Sequence, residues 1–212
     1  MTGQLTPGLL LQAYQQGIFP MAETRDSEDV FWVQPRFRGI LPLDGFHASK
    51  SLRKTLRRGH LTASADRAFA QVVQGCAARA ETWINPPIYD VYQALHAQGD
   101  AHSIEIWQDD SLVGGVYGVT IGMAFFGESM FSTVTDASKV ALACAVNRLR
   151  KQGFALFDTQ FITPHLASLG GVEIPRAAYE DRLADALKEV ADFGPTGPID
   201  LDQMVQSMTH TS

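Results

Sequence analysis

The stretch AFFGESMFSTVTDASKVAL, residues 124–142, predicts a strand, a turn and the beginning of a helix. Bulky apolar residues dominate the strand, and one carboxylate, Glu128, stands among them. Burying a charge without a partner is costly, so Glu128 needs either a partner or a function. After the turn, Asp136 is placed to cap a helix that Gly153 ends.

Strands precede and follow this stretch. The segments 101–108, 111–120 and 123–131 predict consecutive strands, because the first alternates in polarity and aspartate or glycine turns separate them. A helix over 137–153 leads to a short buried strand, 154–161, and a helix initiated by proline comes later. Three meandering strands, a helix, a strand and a helix predict an α+β domain with a mixed sheet flanked by helices.

The N-terminal part of the chain is less regular. Residues 5–18 predict a helix, and short strands on both sides of QPR, residues 34–36, indicate a junction between a small N-terminal piece and the rest. Further elements are predicted as helices over 47–58, 67–80 and 87–99 and as a strand near 61–64.

Composition places the chain among ordinary soluble globular proteins, with 212 residues, 45% of them hydrophobic and 19% charged. No apolar run is long enough to cross a bilayer, and the N-terminus lacks the basic region of a signal peptide. Cys76 and Cys144 are expected to be buried thiols rather than a disulfide. The histidines show no metal-binding pattern, so we expect no metal, and the cytoplasm is the expected compartment.

The chain has a net charge of −6, but one segment forms a stripe of basic residues. Its members recur every three or four residues along the helix predicted over 47–58, and they are Lys50, Arg53, Lys54, Arg57 and Arg58. Such a run is usually a solvated face, yet no acidic residue interrupts it. A solvated face and a phosphate-binding surface are about equally supported, and the latter would bind in a salt-dependent way.

Three polar side chains stand in apolar strands, and we expect them to converge. Asp158 and Gln160 are two apart, so they are predicted to project to one side of their strand, with Phe157 on the other side. If that strand lies beside Glu128, the three groups share one cleft. A buried polar network that satisfies itself is one interpretation, and a site that recognises a cationic amine is the other.

Apolar residues near these groups are expected to form the rest of the cleft. They are Val116, Phe125 and Met130, each of which is equally well explained as an ordinary core residue.

Taken together, the motifs resemble those of the leucyl/phenylalanyl-tRNA–protein transferases, bacterial enzymes that mark proteins for N-degron proteolysis. The resemblance covers nearly the whole chain. It is carried by AYQQGIFPM at 13–21, TWI at 82–84, ALHAQGDAHSIEIW at 94–107, LVGGVYGV at 112–119, FFGESMFS at 125–132, ASKVAL at 137–142, FDTQF at 157–161 and HLASLGGVEIPR at 165–176.

This resemblance implies a small N-terminal domain, 1–35, and a larger domain, 36–212, with the GNAT acetyltransferase-like fold. GNAT relatives bind acyl-CoA through a glycine-containing loop, and the corresponding place here reads STVTDAS, residues 132–138, without such a loop. The implied acyl donor is therefore an aminoacyl-tRNA, and no cofactor is expected. The positions that match the family's tRNA-binding cluster are Lys50, Lys54, Arg57 and Arg58.

The implied reaction moves Leu or Phe, and Met less well, from the 3′ end of tRNA to the N-terminal Arg or Lys of an acceptor protein, forming a peptide bond. Asp158 and Gln160 match the family's catalytic pair, with Gln160 contacting the amine and Asp158 holding or polarising it. A glutamine amide is a very poor base, so the proton acceptor stays open. Alanine at Asp158 is expected to abolish transfer while folding persists.

Other positions take substrate roles by the same resemblance. Glu128 is expected to attract the cationic acceptor or orient the aminoacyl group, and Trp83 is expected to stack on the terminal adenine. The side-chain pocket is expected to comprise Val116, Phe125, Met130 and Phe157. Met21 stands where some members have a second tryptophan. A monomer is expected, and the alternative functions are a non-catalytic tRNA-binding module and a CoA-dependent acetyltransferase.

Overall fold

The computed structural model describes residues 5–27, 29–80 and 82–209, with side chains as far as Gln206 in the last helix. The helices are α1 (Pro7–Gln15), α2 (Lys50–Arg57), α3 (Phe69–Ala77), α4 (Pro86–Gln98), α5 (Ala137–Lys151), α6 (Pro164–Ser168), α7 (Arg176–Ala186) and α8 (Leu201–Thr209). The strands are β1 (Phe19–Met21), β2 (Phe31–Val33), β3 (Phe37–Ile40), β4 (Thr62–Ala65), β5 (Ala101–Gln108), β6 (Ser111–Ile121), β7 (Ala124–Ser132), β8 (Leu156–Gln160), β9 (Val172–Pro175) and β10 (Gly197–Ile199).

One large sheet dominates the described residues. Its order is β10-β4-β5-β6-β7-β8-β3-β9, and β1 and β2 form a separate two-stranded sheet in the N-terminal part. Neighbouring strands are antiparallel except for β7 and β8, which are parallel. The predicted mixed sheet, flanked by helices and preceded by a small N-terminal unit, is therefore confirmed.

The turns explain the meander of β5, β6 and β7. Asp109 and Asp110 join β5 to β6, because Gln108 pairs with Ser111 across the turn, and Asp109 adopts a φ of 51°. Gly122 supplies a φ of 61° in the next turn, where glycine is favoured because it lacks a Cβ atom. Helix α5 then carries the chain from β7 to the parallel strand β8, as parallel neighbours require.

Asp136 does not cap α5, which corrects the prediction from the sequence. Its φ is 67°, in the left-handed region, and its side chain makes no hydrogen bond to the helix N-terminus. The carboxylate instead accepts from Lys139 Nζ at 2.8 Å and from Thr55 Oγ1 at 3.1 Å. Asp136 therefore ties the start of α5 to helix α2.

Two cores cover the two faces of the large sheet, since successive residues of a strand point to opposite sides. On one face, which we call the α5 face, helices α2, α5 and α8 pack against side chains that include Phe125 and Phe157. On the other, the α4 face, helices α1, α3, α4 and α7 pack against side chains that include Phe126 and Tyr117. Glu128 and its neighbours lie where these two layers meet the N-terminal strands.

Several elements differ from the sequence-based expectation. Strands β9 and β10 and helices α6 and α8 were not predicted, because GGVEIP and the segment near residue 197 have the composition of loops. Cys76 and Cys144 are buried free thiols, as predicted, and burial raises the pKa of each to about 12. Among the described helices, none combines the length and apolarity that a membrane span requires.

Candidate functional site

A cavity of about 240 Å³ opens where β6, β7 and β8 meet the N-terminal strand β1. Seven of the residues singled out in the sequence line it: Met21, Trp83, Val116, Glu128, Met130, Phe157 and Gln160. The lining is mostly apolar, and Glu128 is the one carboxylate among the described lining residues, while Arg79 is the one cation. Such a lining fits an apolar side chain that carries a charged or polar end.

A β-bulge places Glu128 at this cavity. Tyr117 of β6 pairs with Ser129 and Gly118 pairs with Gly127, so that Glu128 is the extra, unpaired residue of β7. A bulge re-aims a side chain and disrupts the ladder locally. Both glycines are required there, because a Cβ atom at Gly118 would overlap the Phe126 carbonyl oxygen and one at Gly127 would lie 2.6 Å from the Phe157 ring.

Two buried tyrosines are the hydrogen-bond partners that allow a carboxylate in this strand. Tyr14 of α1 donates to Glu128 Oε1 at 2.5 Å, and Tyr92 of α4 donates to Oε2 at 2.7 Å. The two hydroxyl oxygens are themselves 2.7 Å apart. Burial raises the pKa of Glu128 to about 7, although both tyrosine hydrogen bonds lower it. Glu128 therefore changes its protonation near neutral pH.

Asp158 lies on the same face of the sheet as Glu128 but does not line the cavity, so the expectation that it opens into the cleft beside Gln160 is wrong. It is fully buried and accepts from Arg38 Nε at 2.9 Å and Nη2 at 2.6 Å. Tyr179 Oη donates to it at 2.7 Å and the backbone nitrogen of Gln160 at 2.8 Å. Among the described lining residues, Gln160 is the one that hydrogen-bonds to the Asp158 carboxylate, through its backbone nitrogen.

The reason for this difference is local. The sequence argument assumed a regular strand through Gln160, whereas Gln160 ends β8 with a φ of 56°. Its backbone turn brings Gln160 to the cavity, and Phe157 and Thr159 line the cavity with it. With its amide assigned from the hydrogen-bond network, Gln160 donates to the carbonyl oxygens of Gly127 at 2.8 Å and Thr159 at 3.1 Å. Its side-chain oxygen is then the atom that can accept from an amine.

Arg38 joins the N-terminal strands to this site. Its guanidinium lies 4.6 Å from the ring centroids of both Phe19 and Tyr179, and Nη1 donates to the Gly17 carbonyl oxygen at 2.9 Å. Burial by itself would lower the pKa of Arg38, but the Asp158 carboxylate outweighs it and raises that pKa above its ordinary value. Arg38 is thus a permanent buried cation that depends on Asp158.

Of the other residues expected near the substrate, one does not line the cavity and two do. Phe125 does not line the cavity, which corrects its placement in the pocket. It packs against Phe157 within the core of the α5 face, in an edge-to-face contact with 5.0 Å between ring centroids. Trp83 and Met21 both line the cavity, on the side of the N-terminal strands.

The basic stripe lies on α2. Leu52 and Leu56 are buried in the core of the α5 face, the same core to which the cavity residues Val116 and Phe157 belong. Four cations are exposed, and they are Lys50, Lys54, Arg57 and Arg58. Arg53 is half-buried and donates to the Ala48 carbonyl oxygen at 3.1 Å. The stripe therefore faces solvent on a helix that packs on the α5 face, to which part of the cavity lining also belongs.

The sequence did not single out Tyr14, Tyr92, Tyr179, Arg38 or Arg79. Tyrosines in helical patterns read as core residues, and nothing local indicates that their hydroxyl groups meet a distant carboxylate. Arg38 could have been identified from the sequence. It is a charged residue close to the apolar run Ile40-Leu41, just as Glu128 is a charged residue within an apolar strand.

We predict that Glu128→Gln stabilises the protein above neutral pH. The pKa of Glu128 rises from 4.5 to about 7 on folding, so the native state loses stability as pH rises through that range. Glu128→Gln should therefore raise the free energy of unfolding relative to wild type. This gain should be about 2 kcal/mol larger at pH 8 than at pH 5. Urea unfolding at both pH values measures it, with the exposed Glu173→Gln as the control. An equal gain at both values would contradict the prediction.

Known structures and sequences show what the chain is similar to. The fold is similar to that of a solved structure described as the crystal structure of FemX, with a TM-score of 0.51 and 12% identity over 79% of this chain and 66% of that chain. The protein is thus an α+β protein with a fold similar to that structure, and Glu128 is the one carboxylate among the described residues that line its apolar cavity.

The sequence comparisons are more specific. A family model described as leucyl/phenylalanyl-tRNA protein transferase matches residues 40–184, and the model of its N-terminal domain matches residues 3–36. The chain belongs to this family. Relatives named leucyl/phenylalanyl-tRNA–protein transferase include one from Ruegeria sp. (strain TM1040), 61% identical over 98% of this chain and 99% of the relative. Another, from Cereibacter sphaeroides (strain ATCC 17025), is 59% identical over 98% of each chain.

Proposed function

We propose that this protein transfers Leu or Phe, and Met less well, from aminoacyl-tRNA to the N-terminal Arg or Lys of acceptor proteins. The new peptide bond would mark those proteins for N-degron proteolysis in the cytoplasm, and the enzyme would act as a monomer. Family membership makes the protein an aminoacyl-tRNA–protein transferase. The observation that carries the finer proposal is the cavity, which combines an apolar wall with the carboxylate of Glu128.

The reaction needs positioning more than strong catalysis. The amino acid of aminoacyl-tRNA is held as an ester, which an amine can attack once the two are aligned. Val116, Met130 and Phe157 offer apolar contacts to a Leu or Phe side chain. The Gln160 side-chain oxygen accepts a hydrogen bond from the incoming amine, and Asp158 fixes the Gln160 backbone from behind. Trp83 stacks on the terminal adenine of the tRNA.

The polynucleotide part of the donor binds to α2 in this proposal. Lys50, Lys54, Arg57 and Arg58 are exposed together, and their helix packs on the same core as the cavity. Contacts from such cations to phosphates are insensitive to sequence and position the ligand. The stripe would therefore hold the tRNA while its 3′ end reaches the cavity.

We also propose that the larger domain, residues 36–212, has a GNAT-type fold and that residues 1–35 form the small N-terminal domain. The antiparallel β5–β6–β7 meander followed by α5 and the parallel strand β8 supports this proposal. The segment 132–138 lacks the glycine-containing loop of CoA-binding relatives, and Asp136 places a carboxylate there. A polyanionic CoA is disfavoured at such a position.

The direct test is transfer of labelled Leu from Leu-tRNA to peptides that start with Arg, Lys or Ala. We expect product with Arg and Lys and little with Ala. Binding of tRNA without any transfer would instead support a non-catalytic tRNA-binding module, and transfer from acetyl-CoA would support an acetyltransferase.

We predict that Val116→Ala shifts the preference from Leu toward Phe. Val116 lines the cavity, and removing its two methyl groups leaves a gap that the larger Phe side chain can fill better. A change of one methylene in an apolar pocket is worth about 1–3 kcal/mol, so the ratio of kcat/KM values should shift about tenfold or more. Val119→Ala, on the same strand but buried in the other core, is the matched control. An unchanged ratio in Val116→Ala would remove Val116 from the specificity pocket.

A further inference from the structure

We propose that Glu128, held by the hydroxyl groups of Tyr14 and Tyr92, is the base that accepts a proton from the acceptor's amine. The inference rests on the proposed function and deepens it, since it assigns the proton acceptor of the same reaction. An α-amine is largely protonated at neutral pH and cannot attack an ester in that form. Some group at the site must therefore take its proton.

The first argument is geometric. Glu128 lines the cavity, and its two oxygens contact the hydroxyl groups of Tyr14 at 2.5 Å and Tyr92 at 2.7 Å. The hydroxyl oxygens lie 2.7 Å from each other, so the carboxyl and the two hydroxyls make three short oxygen contacts. Both tyrosines are fully buried, which fixes the carboxyl group in one orientation.

The second argument is a count of protons. With Glu128 ionised, the cluster has two protons for three contacts, and both hydroxyls can donate to the carboxylate. With Glu128 protonated, it has three protons for three contacts, so the carboxyl can donate to one tyrosine while that tyrosine donates to the other. The cluster therefore accommodates a proton without moving a heavy atom and without leaving a buried donor unpaired.

The groups that face Glu128, together with its burial, set the pKa of its carboxyl group close to neutral pH. Tyr14 of α1, Tyr92 of α4 and Tyr117 of β6 are neutral, because burial raises the pKa of each hydroxyl well above its ordinary value. Burial is the main cause that raises the pKa of Glu128, to about 7, and the negative charge of Asp158 raises this pKa further. The two tyrosine hydrogen bonds and the positive charge of Arg38 oppose the rise. A base works best when its pKa lies near the working pH.

The other groups at the cavity are poorer bases. Gln160 offers an amide oxygen, which is very weakly basic. Asp158 is buried away from the cavity and saturated by Arg38, Tyr179 and the Gln160 backbone. Arg79 is a cation whose guanidinium donates to the Met130 carbonyl oxygen. Among the described lining residues, Glu128 is left as the group that can take a proton.

The step then balances as follows. The ammonium gives one proton to a Glu128 carboxylate oxygen, and its nitrogen attacks the ester carbonyl carbon to form the C–N bond. The bond from that carbon to the ribose oxygen breaks as the tetrahedral centre collapses, and the ribose oxygen takes a second proton from the nitrogen. Glu128 then releases its proton to solvent, so one proton is released for each peptide bond formed.

The test compares Glu128→Gln with wild type in the Leu transfer assay, using full-length protein, Leu-tRNA and an Arg-starting peptide at varied concentration. We expect kcat to fall about 100-fold, the lower range for a general base, with the KM for the peptide changed less than about threefold. The midpoint of the wild-type kcat profile near pH 7 should move up into the amine's own range, about 7.7–8.0. Glu173→Gln, on the exposed strand β9, is the matched control.

A second variant separates a base from a simple electrostatic contact. Tyr92→Phe removes a hydrogen bond that lowers the pKa of Glu128, so the acid limb of its kcat profile should move to higher pH. A raised KM with unchanged kcat in Glu128→Gln, or an unmoved limb in Tyr92→Phe, would overturn the assignment while wild-type transfer kept the proposed function intact. Absence of transfer by wild type would overturn both.

Discussion

Replacing Asp158 with alanine should destabilise the protein by about 3–5 kcal/mol and abolish transfer. The loss of stability follows from Arg38, a residue that is 1% exposed and whose guanidinium pairs with the Asp158 carboxylate. Removing one member of a buried pair leaves the other charge without compensation. The hydroxyl of Tyr179 and the backbone nitrogen of Gln160 also lose their acceptor. The expectation from sequence alone, that folding persists, therefore changes to one in which folding and activity fall together.

Chemical unfolding of Asp158→Ala measures this effect, with the exposed Asp181→Ala on α7 as the control, for which we expect a change below about 0.5 kcal/mol. The double variant Arg38→Met with Asp158→Leu separates stability from activity. Exchanging both charges for apolar groups is often neutral or stabilising, so the double variant should regain stability. It should stay inactive, because the backbone nitrogen of Gln160 then loses its carboxylate acceptor. A stability of Asp158→Ala within about 1 kcal/mol of wild type would contradict the buried ion pair.

The parts of the fold that were predictable are those in which a local pattern is sufficient. Alternation over 101–108, aspartate and glycine turns, and a long apolar helix from residue 137 predict the meander and the crossover that follow. Strand β9 was not predicted, because its residues are mostly exposed at the sheet edge and no buried face requires apolar and polar residues to alternate. Asp136 looked like a cap because the residue type fits, but its left-handed backbone directs the carboxylate elsewhere.

The candidate site was predictable only as far as single residues stand out from their neighbours. Glu128 did, because a carboxylate in an apolar strand is unusual, and its strand context was enough to identify it. Its partners were not predictable, because Tyr14 lies 114 residues away in sequence. Arg38 is likewise 120 residues from Asp158. Hydrogen bonds over such separations depend on how helices and strands pack, and no local pattern encodes them.

Replacing the four exposed cations of α2 and its C-terminal cap residue by glutamine should greatly reduce the salt dependence of tRNA binding. The four are Lys50, Lys54, Arg57 and Arg58. Each phosphate neutralised contributes about 0.7–0.9 to the slope of log affinity against log salt, so the slope should fall by about 3. Between about 50 and 200 mM salt, such contacts cost wild type on the order of 100-fold in affinity. The variant should bind weakly at low salt and lose little more as salt is raised.

The variant should fold, because the residues that anchor α2 are untouched. Leu52 and Leu56 stay in the core, Ser49 still caps the helix, and glutamine is a good helix former. A matched pair tests location rather than charge. Lys54→Gln with Arg57→Gln should lower the slope by about 1.5. Arg182→Gln on α7 with Lys188→Gln just after that helix, an equal change in net charge, should leave the slope nearly unchanged. Helix α7 packs on the α4 face, across the sheet from α2, so we expect tRNA bound along α2 not to contact α7. Equal slopes for the two pairs would show that the net charge of the protein, rather than the stripe on α2, controls tRNA binding.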